Sequence, residues 1–253
     1  ETGTIWGGEF LVADLSGFER AGHIRPTPLP GGDAAIRHPY RVALSHLHAA
    51  GVSDLAAVAR DLFGDIPDAE RDLVVQQIEK GVNSIDTSSA GRLFDAASAI
   101  LGVCHEISYE AQAAIELESL AVAAGGPDGV TAFHYDIVDE GGTLVVDTAR
   151  SVLAVADAVM NDDPRGLVAS QFHETVVAFC REVCGRLSAA NSIRTVALSG
   201  GVFQNRYLLR RLTEVLTDDG LTVIVNREVP TNDGGVSLGQ AVIASERARA
   251  GLL

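Results

Sequence analysis

Between Arg194 and Val225 short apolar runs alternate with a glycine doublet and a helical stretch, and that pattern leaves few folds open. Arg194-Thr-Val-Ala-Leu-Ser199 reads as a short buried strand that ends in Gly200-Gly201. Helical spacing covers roughly 204–218, Asp218-Asp-Gly220 makes a turn, and Leu221-Thr-Val-Ile-Val225 is a second strand. A last helix fits about 234–249. This is a β-α-β-α unit, so the expected fold class is α/β with a helical lobe added upstream.

The upstream lobe follows from the same patterning. Residues 5–14 read as a strand in which Gly7-Gly8 suggests a bulge or a close approach of backbones. The run from His23 to Gly32 is rich in Pro and Gly and reads as a loop, after which Asp33 caps a helix towards Ala50. Helices are expected over 53–63, 68–79, 89–101 (with Ser88 or Ser89 as N-cap) and 108–124. Strands are expected near 131–138 and 143–146. Asp147 then caps a helix over 148–160, and Asp163-Pro164 opens a long one to about Ala190. A division at residue 130 would separate a first part with the helical lobe (1–130) from a C-terminal α/β lobe (131–253).

Charge and cysteine usage remove several functions. The formal net charge is -15 and the sequence pI about 4.7, which opposes binding to a phosphate backbone and leaves no nucleic-acid partner. No apolar run reaches the ~18 residues that span a bilayer, and no basic-then-apolar leader opens the chain, so a cytoplasmic protein is expected. Cys104, Cys180 and Cys184 are odd in number and lack C-x-x-C spacing, which excludes a disulfide framework and a zinc ribbon. Cys180 and Cys184 share a helix face and read as buried thiols or, alternatively, as metal ligands. No H-E-x-x-H and no G-x-S-x-G occurs. His38, His134 and His173 stand singly and read as packed or surface imidazoles.

Three segments can carry chemistry. After the first C-terminal strand, Gly200 and Gly201 let a ligand approach the backbone, and a helix start there would offer free N–H groups to phosphate. Gln204 and Asn205 would add amide donors. A tight β-α turn without a ligand explains the same residues, and neither a Walker loop nor G-x-G-x-x-G is present. In Pro230-Thr-Asn-Asp-Gly-Gly235, Asp233 follows the last strand, where open α/β sheets place their ligand crevice. It is a candidate metal carboxylate or a helix cap. The third segment is Thr87-Ser-Ser-Ala-Gly-Arg-Leu-Phe-Asp95, followed by Tyr109-Glu-Ala-Gln112. Arg92 could fork onto a phosphate, and Asp95 or Glu110 could accept from ribose hydroxyls; a capped helix with a salt bridge is the plainer reading.

Five stretches together resemble the HypF family of carbamoyltransferases that mature [NiFe]-hydrogenases. They are Gly3-Thr-Ile-Trp-Gly-Gly-Glu-Phe10, Arg25-Pro-Thr-Pro-Leu-Pro-Gly-Gly-Asp-Ala-Ala-Ile-Arg37, Thr87-Ser-Ser-Ala-Gly-Arg-Leu-Phe-Asp-Ala96, Leu198-Ser-Gly-Gly-Val-Phe-Gln-Asn205 and Asn232-Asp-Gly-Gly-Val-Ser-Leu-Gly-Gln-Ala241, in family order. The resemblance implies a partial Kae1-like fold of the ASKHA type (actin, sugar kinase, Hsp70) with a helical insertion. It implies that upstream acylphosphatase-like, zinc-finger and YrdC-like domains make carbamoyl adenylate from carbamoyl phosphate and ATP. The Kae1-like domain would pass the carbamoyl group to the C-terminal cysteine thiol of a HypE-like partner. On that basis Gly200, Gly201, Gln204 and Asn205 lie along the phosphate or carbamoyl end of the nucleotide. Ser89, Gly91, Arg92, Asp95 and Glu110 lie near its ribose and base, and Asp233 is both catalytic and a ligand to a divalent metal. Two departures stand out. The family's H-x-x-x-H helix and an upstream aspartate, which complete that metal site, are not in this sequence, and Ala111 stands where the family has glycine. An O-carbamoyltransferase of small-molecule biosynthesis and an inactive nucleotide-binding or docking module are the alternatives.

Overall fold

The computed structural model describes residues 3–127 and 129–251. A four-stranded sheet, in the order β1-β2-β6-β5, is built from Glu9–Ala13 (β1), Phe18–Ile24 (β2), Asp136–Glu140 (β5) and Thr143–Asp147 (β6). β1 and β2 are antiparallel, and Asp14 makes their turn: its Oδ1 accepts the Ser16 and Gly17 N–H groups at 2.7 and 3.0 Å. β2 pairs parallel with β6, Gly22 opposite Leu144, so the sheet joins segments from both sides of residue 130. The division expected there does not separate two cores. Buried residues from Ile24 to Leu221 form a continuous apolar cluster.

Thr27–Pro30 (β3) and Ser84–Thr87 (β4) form a separate antiparallel pair. Both lie where loop was expected. Pro28 and Pro30 lack N–H groups, and a strand in a pair tolerates that on its unpaired edge, so the Pro-rich run is extended and not irregular. The helix expected from Asp33 to Ala50 is broken into Asp33–Arg37 (α1) and Pro39–Ala49 (α2). Pro39 disfavours helical backbone at the residue before it, and His38 sits at φ -122°, ψ 82°. Asp33 is the first residue of α1 and not its cap.

Leu55–Leu62 (α3) and Asp68–Glu79 (α4) flank this region, and Ala90–Ile100 (α5) packs along α2. Ser89 caps α5 by accepting the Arg92 N–H at 3.4 Å. Gln112–Ala123 (α6) begins four residues later than expected, after a left-handed Ala111. Ala149–Met160 (α7) and the 27-residue Arg165–Asn191 (α8) complete the helical body, with α6 against α8.

The C-terminal unit has the expected order. Thr195–Leu198 (β7) and Thr222–Val225 (β8) are parallel, with Arg206–Asp218 (α9) between them and against α8. One detail differs. Gly201–Gln204 is a 3-10 turn, and α9 starts at Arg206 where 204 was expected. Val236–Arg249 (α10) follows a second 3-10 turn at Asp233–Gly235 and buries none of its residues.

Candidate ligand-binding corner

The loops that leave β7 and β8 meet at their carboxyl ends. The Gly200 N–H donates to the Thr231 carbonyl at 2.9 Å, and the Thr231 hydroxyl donates back to the Gly200 carbonyl at 3.1 Å. The glycine doublet and the Asp233 turn therefore share one face. Gly200 lies at φ 111°, a conformation that a side chain would strain. Gly201 has no such restriction, and a Cβ there would meet open space. Gln204 and Asp233 are both exposed.

Helix α9 does not offer its N-terminus to a ligand. Glu118 on α6 accepts the Arg206 and Tyr207 N–H groups through one oxygen, at 2.8 and 3.0 Å. Asn205 Oδ1 accepts the Leu208 N–H at 2.8 Å. The carboxylate satisfies the positive end of the helix dipole that the sequence reading assigned to phosphate. Among the described residues, the N–H groups of Gly201 and Val202 are the backbone donors of this corner that no carbonyl or side chain takes. An anion therefore meets the turn one step before the helix.

Asn205 is also corrected. It is buried, its Oδ1 caps α9, and its Nδ2 lies 3.0 Å from His173 Nε2, so neither end of its amide is free for a ligand. Its backbone N–H closes the 3-10 turn on the Val202 carbonyl.

The second expected segment lies alongside, since α5 packs against the 3-10 turn. Asp95 is 3% exposed and pairs with Arg92 Nη2 at 3.0 Å. Burial pushes its carboxyl up to about 6, against the opposing pull of Arg92. Arg92 Nη1 is buried without a partner, a donor that a polar ligand group would satisfy. Ser89 is held from the other side by the Gly7-Gly8 loop: a Cβ on Gly7 would stand 3.1 Å from the Ser89 Cα, and one on Gly8 2.4 Å from the Ser88 carbonyl oxygen. Glu9 fixes that loop by accepting the Gly7 and Gly8 N–H groups at 2.5 and 2.8 Å while it pairs with Arg20 and Ser88. Gly91 meets no crowding beyond ordinary contact, and Glu110 stands exposed in the turn before α6.

The metal fares differently. Asp233 is a single exposed carboxylate, and the described residues contain no group of three His, Cys, Asp or Glu placed to hold an ion. These residues do not make a metal site by themselves. A separate cleft of about 570 Å³ between α8 and α9 contains none of the expected residues. Its Arg181 and Arg211 are already forked onto Asp219 and Glu174. The corner is the better candidate because its donors are open.

A parallel β-α-β unit with its ligand-facing loops at the strand ends, joined to a helical body and a mixed sheet, defines a Kae1-like α/β domain. Residues 1–240 match the family model described as carbamoyltransferase, Kae1-like domain, second subdomain. The chain belongs to the HypF carbamoyltransferase family. It is 41% identical over 246 residues to the carbamoyltransferase HypF of Rhodobacter capsulatus, covering 97% of this chain and 30% of that protein. It is 39% identical over 249 residues to the HypF of Rhizobium leguminosarum bv. viciae, covering 96% and 30%. Among solved structures, full-length HypF in a phosphate- and nucleotide-bound form superposes with a TM-score of 0.86 at 39% identity, over 96% of this chain and 31% of that one. The HypF of T. kodakarensis gives 0.83 at 27% identity, over 96% and 32%. The chain thus spans about three tenths of these relatives.

Proposed function

We propose that this chain is the part of a hydrogenase-maturation carbamoyltransferase that holds carbamoyl adenylate and presents it to the C-terminal cysteine thiol of a HypE-like partner. Carbamoyl phosphate and ATP are the precursors of the adenylate. The observation that carries the reading is the reciprocal hydrogen-bonding of Gly200 and Thr231, which joins the two strand-end loops into one corner. The solved relative whose title gives a phosphate- and nucleotide-bound form supports the same ligand class.

In this reading Gly200, Gly201 and Gln204 border the phosphate, and the open N–H groups of Gly201 and Val202 donate to it. Ser89, Gly91, Arg92, Asp95 and Glu110 face the ribose and base, with Arg92 Nη1 gaining the partner it lacks. The reaction needs little covalent help, since an acyl adenylate is already activated. The partner's sulfur forms a bond to the carbamoyl carbon, the carbon–oxygen bond to phosphate breaks, AMP leaves with the electron pair, and the thiol proton is released. The chain's task is positioning. Its own cysteines are unsuited to be the nucleophile: burial raises the thiols of Cys104 and Cys180, and Cys184 to about 11, so all three stay protonated at neutral pH. No step is assigned to a metal, because Asp233 alone does not bind one.

Gly201→Val tests the reading. The added side chain meets open space in the protein and so leaves the fold intact, yet it fills the ground where phosphate would sit. Titration calorimetry with ATP should show binding to the wild-type chain and none to the variant, with unchanged circular dichroism. Equal binding by both would remove the glycine corner from the site.

A further inference from the structure

His173 and Asn205 form a buried relay whose hydrogens can be placed by elimination. The Ala169 carbonyl lies 2.7 Å from His173 Nδ1, and a carbonyl only accepts, so Nδ1 carries the proton. The ring is fully buried, and burial lowers its basicity to about 4, so it is neutral. Nε2 is then an acceptor, and the Asn205 group 3.0 Å away must be the NH2. That choice turns Oδ1 towards the Leu208 N–H, at 2.8 Å. The reversed amide would set donor against donor at Leu208 and acceptor against acceptor at His173. A single orientation satisfies all three groups.

We infer that His173 is a positioning residue for the ligand corner, acting through the orientation of the Asn205 amide. Asn205 ends the Gly201–Gln204 turn with its backbone and starts α9 with its side chain, so the imidazole fixes where the turn meets the helix. The ring also meets the other site segment edge to face: the Phe94 ring, next in sequence to Asp95, is 5.3 Å away at 74°. Tyr207, in the first turn of α9, closes the opposite side at 4.9 Å. His173 therefore sets the separation between the α5 segment and the glycine turn. The inference rests on the nucleotide reading of the corner only for its effect on binding.

The test uses the 15N-labelled chain with ATP as probe. His173→Leu keeps bulk and removes the acceptor, whereas His173→Gln can accept from Nδ2 through its own carbonyl oxygen. One lost buried hydrogen bond corresponds to about 10-fold in an equilibrium, so amide exchange at Leu208 should quicken by roughly that factor in the Leu variant. ATP affinity should weaken by about the same factor, and Gln should restore both to within about 2-fold. Unchanged exchange and affinity in a folded Leu variant would overturn the inference, as would a Gln variant no better than Leu. Wild-type chain that binds no ATP while Leu208 still responds would sink the nucleotide reading and leave the His173 relay standing. If the Leu variant does not fold, Asn205→Ser retains a capping oxygen and deletes the donor to His173. It should weaken ATP binding while Leu208 stays protected, and unaltered ATP affinity there counts against His173.

Discussion

Removing the carboxylate of Glu118 should destabilise the protein by about 2 kcal/mol, mostly by exposing the start of α9. The number follows from the two bonds it accepts. The Arg206 N–H is exposed and regains water when the acceptor goes, a loss of about 0.5 kcal/mol. The Tyr207 N–H is partly buried and loses about 1 kcal/mol, and removal of a charge from the positive helix end adds about 0.5. Glu118→Gln keeps a neutral acceptor and should lose less than half as much as Glu118→Ala. Urea unfolding measures both, and the slope with denaturant should be the same for all three proteins, so that only the midpoint moves. Should Ala cost no more than Gln, or less than about 0.5 kcal/mol, α9 would not depend on Glu118. The case for placing an anion at Gly201 and Val202, one step before the helix, would fall with it.

Two further outcomes follow from positions where the backbone or burial is under tension. Ala111 caps α6 at φ 60°, a left-handed conformation that opposes an L side chain, so Ala111→Gly should raise stability by about 1 kcal/mol in the same urea assay. Asp95 has its carboxyl raised to about 6, which favours the folded state below the ordinary carboxylate range and withdraws that advantage as pH climbs through 6. The stability of wild type relative to Asp95→Asn should accordingly fall between pH 4 and pH 7, by about 3 kcal/mol at most. A 13C titration of the Asp95 carboxyl with a midpoint below 4.5 would contradict it.

The C-terminal β-α-β unit was legible because all of its signals are local. Apolar runs, a glycine doublet and an Asp-Asp-Gly turn follow one another within thirty residues, and β7, α9 and β8 fall on them. The collinear motifs likewise pointed to the family that the whole-chain comparison bears out. What could not be read depended on distant partners. β3 looks like a loop until β4, more than fifty residues on, pairs with its free edge. The mixed sheet needs β6 beside β2, which no periodicity announces. Glu118 sits on an Ala-rich helix like any surface glutamate, with its acceptor role set by N–H groups 88 and 89 residues away. His173 read as one of several isolated histidines. Only the Ala169 carbonyl and Asn205 around it reveal a defined tautomer.

The same device recurs at both ends of the site, and it bears on where a ligand can go. Pairs of neighbouring N–H groups bind anions, and this chain supplies carboxylates of its own to fill them. Glu9 takes the pair at Gly7 and Gly8, and Glu118 takes the pair at Arg206 and Tyr207. A free phosphate would have to displace a tethered carboxylate at either place, against its high effective concentration. At Gly201 and Val202 no such carboxylate intervenes. The nearest fixed charge in the second segment is Arg92, whose buried Nη1 lacks a partner and which offsets Asp95 beside it. An acidic protein of net charge -15 repels anions in general, so the one corner where donors are open and a guanidinium stands close is where an adenylate would be admitted.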